Sequence, residues 1–139
     1  MIVEADGARR MPCKVPAAHE PVIVPRTTTV CSVYGLDAIG QRICDCCFRS
    51  ELAAEVLGKR KTDRLEAADL AKIAADGNGG CKGVKRGMDH WVILNKADTD
   101  QRKESAEEVC RELERYGNRQ ILITFSEETE RSEMFVQKQ

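Results

Sequence analysis

At 139 residues, with 42% hydrophobic and 32% charged side chains, the chain suits one domain around one core and is neither disordered nor fibrous in composition. A net charge of −1, with Lys and Arg spread along the chain, leaves no broad basic face for nucleic acid or an anionic membrane. No run is long enough for a transmembrane helix, no signal peptide is recognisable, and the seven cysteines are odd in number, which together predict free thiols and a cytoplasmic location.

Residues 1–7 (MIVEADG) read as the end of a strand that delivers Glu4 and Asp6 beside a glycine. Acids at such a place hold Mg2+, directly or through water, in nucleoside triphosphatases; an ordinary strand-to-loop turn uses Asp-Gly for its backbone preferences alone. Pro12, Pro16, Pro21 and Pro25 then forbid a long helix and predict an extended, braced loop carrying Arg9, Arg10, Lys14, His19 and Glu20. His19 and Glu20 form a candidate catalytic or metal pair, with structural hydrogen bonding as the competing reading.

The β-branched run 27–34 predicts a strand, and residues 40–48 a helix containing Cys44, Cys46 and Cys47. Cys44 and Cys47 have CxxC spacing, but there is no second such pair, so buried structural thiols compete with a metal or redox site. Ser50 is a candidate cap for a helix over 51–57 that Gly58 closes. In 66–75, Ala67, Leu70, Ala71 and Ala74 make one apolar helical stripe. Residues 76–87 hold five glycines with Lys82, Lys85 and Arg86, but lack the GxxxxGK[ST] spacing of a phosphate loop and predict a mobile loop.

The apolar run 90–94 predicts a buried parallel strand that ends in Asn95-Lys96-Ala97-Asp98. An Asp there can accept from the N1–H and exocyclic amine of guanine, the Asn can read the other edge, and the Lys stem can cover the face, as NKxD does in GTPases; a capped turn is the plainer alternative. A helix over 101–116 with the stripe Ala106, Val109, Cys110 and Leu113 follows, capped by Thr99 or Asp100, and then a strand over 120–125. Strand–helix alternation predicts an α/β domain over 1–125 with a mainly parallel sheet flanked by helices, and a polar tail over 126–139 that frays or forms a short helix. In such a sheet the acids and the NKAD turn would face one crevice.

Glu4-Ala5-Asp6-Gly7-Ala8-Arg9, Pro12, Lys14, Pro16, His19-Glu20-Pro21-Val22-Ile23, Gly35-Leu36-Asp37-Ala38, Gly80-Cys81-Lys82-Gly83 and Leu94-Asn95-Lys96-Ala97-Asp98 resemble, in that order, the YqeC family of selenium-dependent hydroxylase accessory proteins. The resemblance implies a P-loop NTPase-like fold and a role in maturing selenium-dependent molybdenum hydroxylases. It implies Mg2+ with GTP or ATP as cofactors, Glu4 and Asp6 as metal-side acids, and Asn95, Lys96 and Asp98 as the base-reading residues. Arg9 and Lys14 become candidates for neutralising phosphate. The implied partners are a nucleotide and a molybdenum hydroxylase or another maturation protein. Phe48 and Ser50 depart from the family pattern, where His and Pro are expected. No glycine-rich phosphate loop precedes the acids, so the chain is expected to be an N-terminally truncated version of that fold, with an incomplete nucleotide site and an exposed sheet edge or face. The alternative function is a non-catalytic module that binds protein or handles selenium or a cofactor, in one version through Cys44, Cys46 and Cys47.

Overall fold

A computed structural model describes residues 1–118 and 120–126, together with the strand Phe135–Gln137. In chain order the elements are β1 (Cys13–Lys14), β2 (Thr29–Gly35), a 3-10 turn (Leu36–Ala38), α1 (Ile43–Cys46), β3 (Cys47–Phe48), α2 (Ser50–Leu57), α3 (Ala67–Ala75), β4 (Asp89–Asn95), α4 (Asp100–Arg115), β5 (Ile121–Ile123) and β6 (Phe135–Gln137). The fold is α/β. The main sheet runs β2-β4-β5-β6, with β2 and β5 parallel to the central β4 and β6 antiparallel at the edge. A small second sheet pairs β1 with β3 in parallel.

Alternation along the parallel strands decides what is buried. In register, Ser32, Val92 and Ile121 lie on one face, followed by Tyr34, Leu94 and Ile123. Val92 and Leu94 are wholly buried there and join one core with Leu70, Ile73 and Ala74 of α3 and Val109, Cys110 and Leu113 of α4. Each Val, Leu or Ile side chain among these, taken fully from water, contributes about 1.5–3 kcal/mol. The predicted stripes of α3 and α4 are thus the faces that bury. On the opposite face Cys31 and Val33 are exposed and Trp91, Ile93 and Leu122 half-buried. The run 90–94, expected to be buried on both faces, is therefore fully packed on one.

Local chemistry explains the helix ends. Glu66 and Asp69 form a capping box on α3, and the same Asp69 carboxylate accepts from Lys59 Nζ at 2.5 Å, so this buried acid is both capped and paired. Thr99 caps α4 by accepting from the Arg102 amide at 3.2 Å, as its sequence position predicts. Gly58 closes α2 in the left-handed region, at φ 64°.

Four expectations are corrected. Residues 1–7 form no strand; among the described residues their one backbone bond from the following loop is Val22 N–H to the Ala5 carbonyl, at 3.1 Å. The helix expected over 40–48 shrinks to the four-residue α1, and Cys47 and Phe48 leave it to pair with β1. Ser50 is the first residue of α2 and not its cap; the cap position is Arg49, in the left-handed region at φ 61° and without a side-chain capping bond. Within 126–139, residues Phe135–Gln137 are a strand, where fraying or a short helix was expected.

Candidate functional site

Parallel pairing brings the carboxyl ends of β2, β4 and β5 to one side of the sheet. Beyond Asn95 the chain stays beside the end of β5, through Thr124 N–H to the Leu94 carbonyl (2.9 Å) and Ala97 N–H to the Thr124 carbonyl (3.0 Å). The NKAD turn is thereby held by backbone before its side chains act. The Asn95 side-chain oxygen accepts from the Thr124 hydroxyl at 2.8 Å, which leaves its amide N–H groups as donors. Lys96 occupies the left-handed region at φ 67°, a costly conformation for a residue with a Cβ, and its Nζ donates to Asp37 Oδ2 at 3.1 Å. Ala97, wholly buried, anchors the turn.

Asp98 is clasped by one residue of the neighbouring strand end. Its Oδ1 accepts from the Ser126 amide at 2.8 Å and its Oδ2 from the Ser126 hydroxyl at 2.7 Å, with Arg102 Nη1 3.7 Å away. The Ser126 amide, then its hydroxyl, hold this carboxyl below the usual carboxylate range against the opposing effect of burial; Arg102 and Lys96 add to the lowering. An ionised carboxylate has about four acceptor directions, so two remain for a ligand. Its side chain is 21% exposed, enough to be reached.

Asp37 joins the same rim from the 3-10 turn after β2. Its Oδ2 takes Lys96, while its buried Oδ1 has no hydrogen-bond partner among the described residues. A Cβ on Gly35 would collide with that Oδ1 and lie 2.9 Å from the Pro12 side chain, so the approach of carboxylate to strand end requires glycine. Asp37, Thr124 and Ser126 were not singled out from sequence as site residues. The only local signal was Gly-Leu-Asp at a strand end, and the two hydroxyls become relevant only through the β4–β5 register.

The predicted acids and bases of the proline-braced loop assemble elsewhere. Lys14 Nζ donates to Asp6 Oδ2 (2.8 Å) and the Gly7 carbonyl (2.8 Å), with Glu20 Oε2 at 3.6 Å. Glu20 turns inward to Arg49 at 2.5 Å and to the Ala17 amide. Burial alone would raise the Glu20 carboxyl, but the Ala17 amide, Lys14, Arg49 and His19 together bring it below its ordinary value. His19 is exposed and acts on Glu20 only through its charge, while the hydrogen bond and ion pairs of Glu20 go to Ala17, Lys14 and Arg49. The Arg9 and Arg49 guanidinium groups both lie over the Phe48 ring, at 5.0 and 4.3 Å from its centroid.

Glu4 is exposed, Asp6 is neutralised by Lys14, and among the described residues no group of three or more His, Cys, Asp or Glu side chains is arranged to hold a metal ion. Asp6 lies in the charge network of Lys14, Glu20 and Arg49, whereas Lys96 and Asp98 of the NKAD turn pair with Asp37, Ser126 and Arg102. Lys82, of the glycine-rich stretch, donates to the Ala17 and Ala18 carbonyls. Cys46 and Cys47 are buried with their sulfurs 3.8 Å apart, while Cys44 turns to Asp45; all seven cysteines are free. Among the described residues no helix is long and apolar enough to cross a membrane.

Residues 1–51 match the model of the YqeC protein family. Over 97 residues the chain is 29% identical to a protein of Escherichia coli (strain K12) called uncharacterized protein YqeC, a match covering 69% of this chain and 38% of that relative. The chain thus spans well under half the length of the curated relative it matches. No solved structure matches.

Proposed function

The chain belongs to the YqeC family, and from that premise we propose that the ends of β2, β4 and β5 form a nucleotide site that prefers guanine, in an accessory protein for maturing selenium-dependent molybdenum hydroxylases. The observation that carries the reading is the Asp98 carboxylate, ionised, partly exposed and gripped from its own sheet by Ser126. In this reading Asp98 accepts from the guanine N1–H and amine, the free Asn95 amide donates to the other edge, and the Lys96 stem lies on the base. The orphaned Asp37 Oδ1 accepts from a ribose hydroxyl or a bound water. A P-loop NTPase-like ancestry supplies the analogy, and any Mg2+ arrives with GTP or ATP, with no protein ligand assigned to it.

Titration of the chain with fluorescent GDP, GTP and ATP analogues tests the site. Saturable, guanine-preferring binding that weakens by at least roughly 100-fold in Asp98→Ala is expected, since two hydrogen bonds to a charged group are lost at about 1.5–3 kcal/mol each. A folded chain with no saturable binding, or one in which Asp98→Ala binds normally, refutes it. The half-open sheet face of Cys31, Val33, Trp91, Ile93 and Leu122 favours the second reading, a protein-binding module without catalysis. Capture of a molybdenum hydroxylase or maturation factor that Val33→Lys abolishes, with nucleotide binding absent, would select that reading.

A further inference from the structure

The glycine-rich stretch 76–87 is tied at its centre to the end of α3. Gly80 N–H donates to the Ile73 carbonyl at 2.9 Å and Cys81 N–H to the Asp76 carbonyl at 3.1 Å, so the stretch is pinned on the end of α3. A Cβ on Gly80 would stand 2.5 Å from the Ala74 carbonyl and 2.6 Å from the Tyr34 hydroxyl, which is why only glycine allows this approach. The consequence is a fixed position for Cys81. Its sulfur lies 3.5 Å from His90 Nδ1 and 3.6 Å from the Ala74 carbonyl oxygen.

The hydrogen bonds set the histidine tautomer. The Ser32 hydroxyl donates to the Gly80 carbonyl at 3.0 Å, so toward His90 Nε2, 2.9 Å away, it acts as acceptor. Nε2 then carries the proton and Nδ1 faces Cys81 as an acceptor, with the Asn118 side-chain amide also aimed at it from 3.5 Å. Thiol, imidazole and orienting hydroxyl thus form a nucleophile–base–orienter chain. It opens onto a cleft of about 450 Å³ bordered by Asp89, Tyr116, Asn118 and Gln120. Burial, then Asp76, pushes the Cys81 thiol up, and burial pushes His90 down, so the resting pair is a neutral thiol beside a neutral base.

We propose that Cys81 is a thiol–disulfide exchange site, with His90 as its base and the adjoining cleft as the seat of a low-molecular-weight disulfide. As Sγ attacks one sulfur of the disulfide, its proton passes to His90 Nδ1. The new S–S bond forms, the old one breaks, and the departing thiolate takes the proton back from His90. The sum is Cys81 thiol plus disulfide giving a mixed disulfide plus one free thiol, with the disulfide as the oxidant. Cys13, Cys46, Cys47 and Cys110 are shut inside the core, the half-buried Cys44 turns to the Asp45 carboxylate, and among the described residues the exposed Cys31 has no hydrogen bond to an imidazole.

The test is timed incubation of the full chain with glutathione disulfide, with each cysteine followed by peptide mass spectrometry. Cys81 is expected to form the mixed disulfide faster than exposed Cys31. In His90→Gln the Cys81 rate should fall about 100-fold, the low end for a positioned general base, while the Cys31 rate holds. Continued protection of Cys13, Cys46 and Cys47 reports that the variant is folded. If His90→Gln loses that protection, Ser32→Ala, which removes only the orienting hydroxyl, should slow Cys81 without touching Cys31. An unmodified Cys81 in the folded protein, or a Cys81 rate indifferent to both substitutions, overturns the proposal.

Discussion

The Ser126–Asp98 clasp gives the sharpest test of how the candidate site is built. Ser126→Ala removes the hydroxyl bond to Oδ2 at 2.7 Å and leaves the amide bond to Oδ1 at 2.8 Å. A hydrogen bond to a charged group contributes about 1.5–3 kcal/mol when shielded, and with the Asp98 side chain 21% exposed the expected loss is about 1 kcal/mol. Asp98→Ala removes both bonds and should cost about 2 kcal/mol. A double-mutant cycle by urea unfolding separates this pair from any other contact of Ser126, and the coupling should come out near 1 kcal/mol. The pH dependence has a definite sign. The folded carboxyl titrates below its ordinary value, so its contribution is complete above about pH 4 and is lost as the pH falls through the lower folded value. The gap between wild type and Ser126→Ala should narrow in that acid range. Additive behaviour at pH 7, or a gap that widens in acid, would refute the clasp as the source of the lowered carboxyl.

Gly35→Ala should destabilise the fold by about 1–3 kcal/mol in thermal or urea unfolding, as overpacking against the Asp37 carboxylate and Pro12 does, although the backbone at Gly35 has ordinary extended angles. A neutral result would mean that the rim of the site is looser than its geometry. Replacing Cys46 and Cys47 by Ser should leave any metal or selenium content of the purified protein unchanged yet cost about 1–3 kcal/mol per buried hydroxyl; loss of such content from a folded variant would restore the thiol-carrier reading.

Several elements were legible from local pattern because their cause is local. The stripes Ala67, Leu70, Ala71, Ala74 and Ala106, Val109, Cys110, Leu113 needed only helical periodicity, and both are buried as expected. Thr99 and Gly58 were readable as helix boundaries because a cap is decided within a few residues. Where the cause was distant, the reading failed. Residues 40–48 read as a helix from sequence, yet Cys47 and Phe48 pair with Cys13 and Lys14, more than thirty positions away. The charges of the proline-braced loop could be named but not paired. That Glu20 would choose Lys14 and Arg49 over its neighbour His19 depends on where Arg49 arrives after β3.

The same division runs through the site. NKAD at the end of an apolar run put Asn95, Lys96 and Asp98 on one rim, because a strand and its terminating turn are consecutive in sequence. Asp37, Thr124 and Ser126 entered that rim only when β2, β4 and β5 lined up in parallel, since hydrogen-bond partners 28 to 59 residues apart are set by register and not by spacing. Cys81 and His90 tell the same story from the other end of the sheet. They are nine residues apart, but their contact required the glycines to pin one loop to α3 and Ser32 to fix the tautomer from a neighbouring strand. Sequence by itself determined the α/β alternation, the buried stripes and the NKAD turn, all products of short-range geometry and side-chain periodicity. The tertiary structure alone decided which polar groups meet, because burial and strand register select partners among residues that the chain keeps far apart.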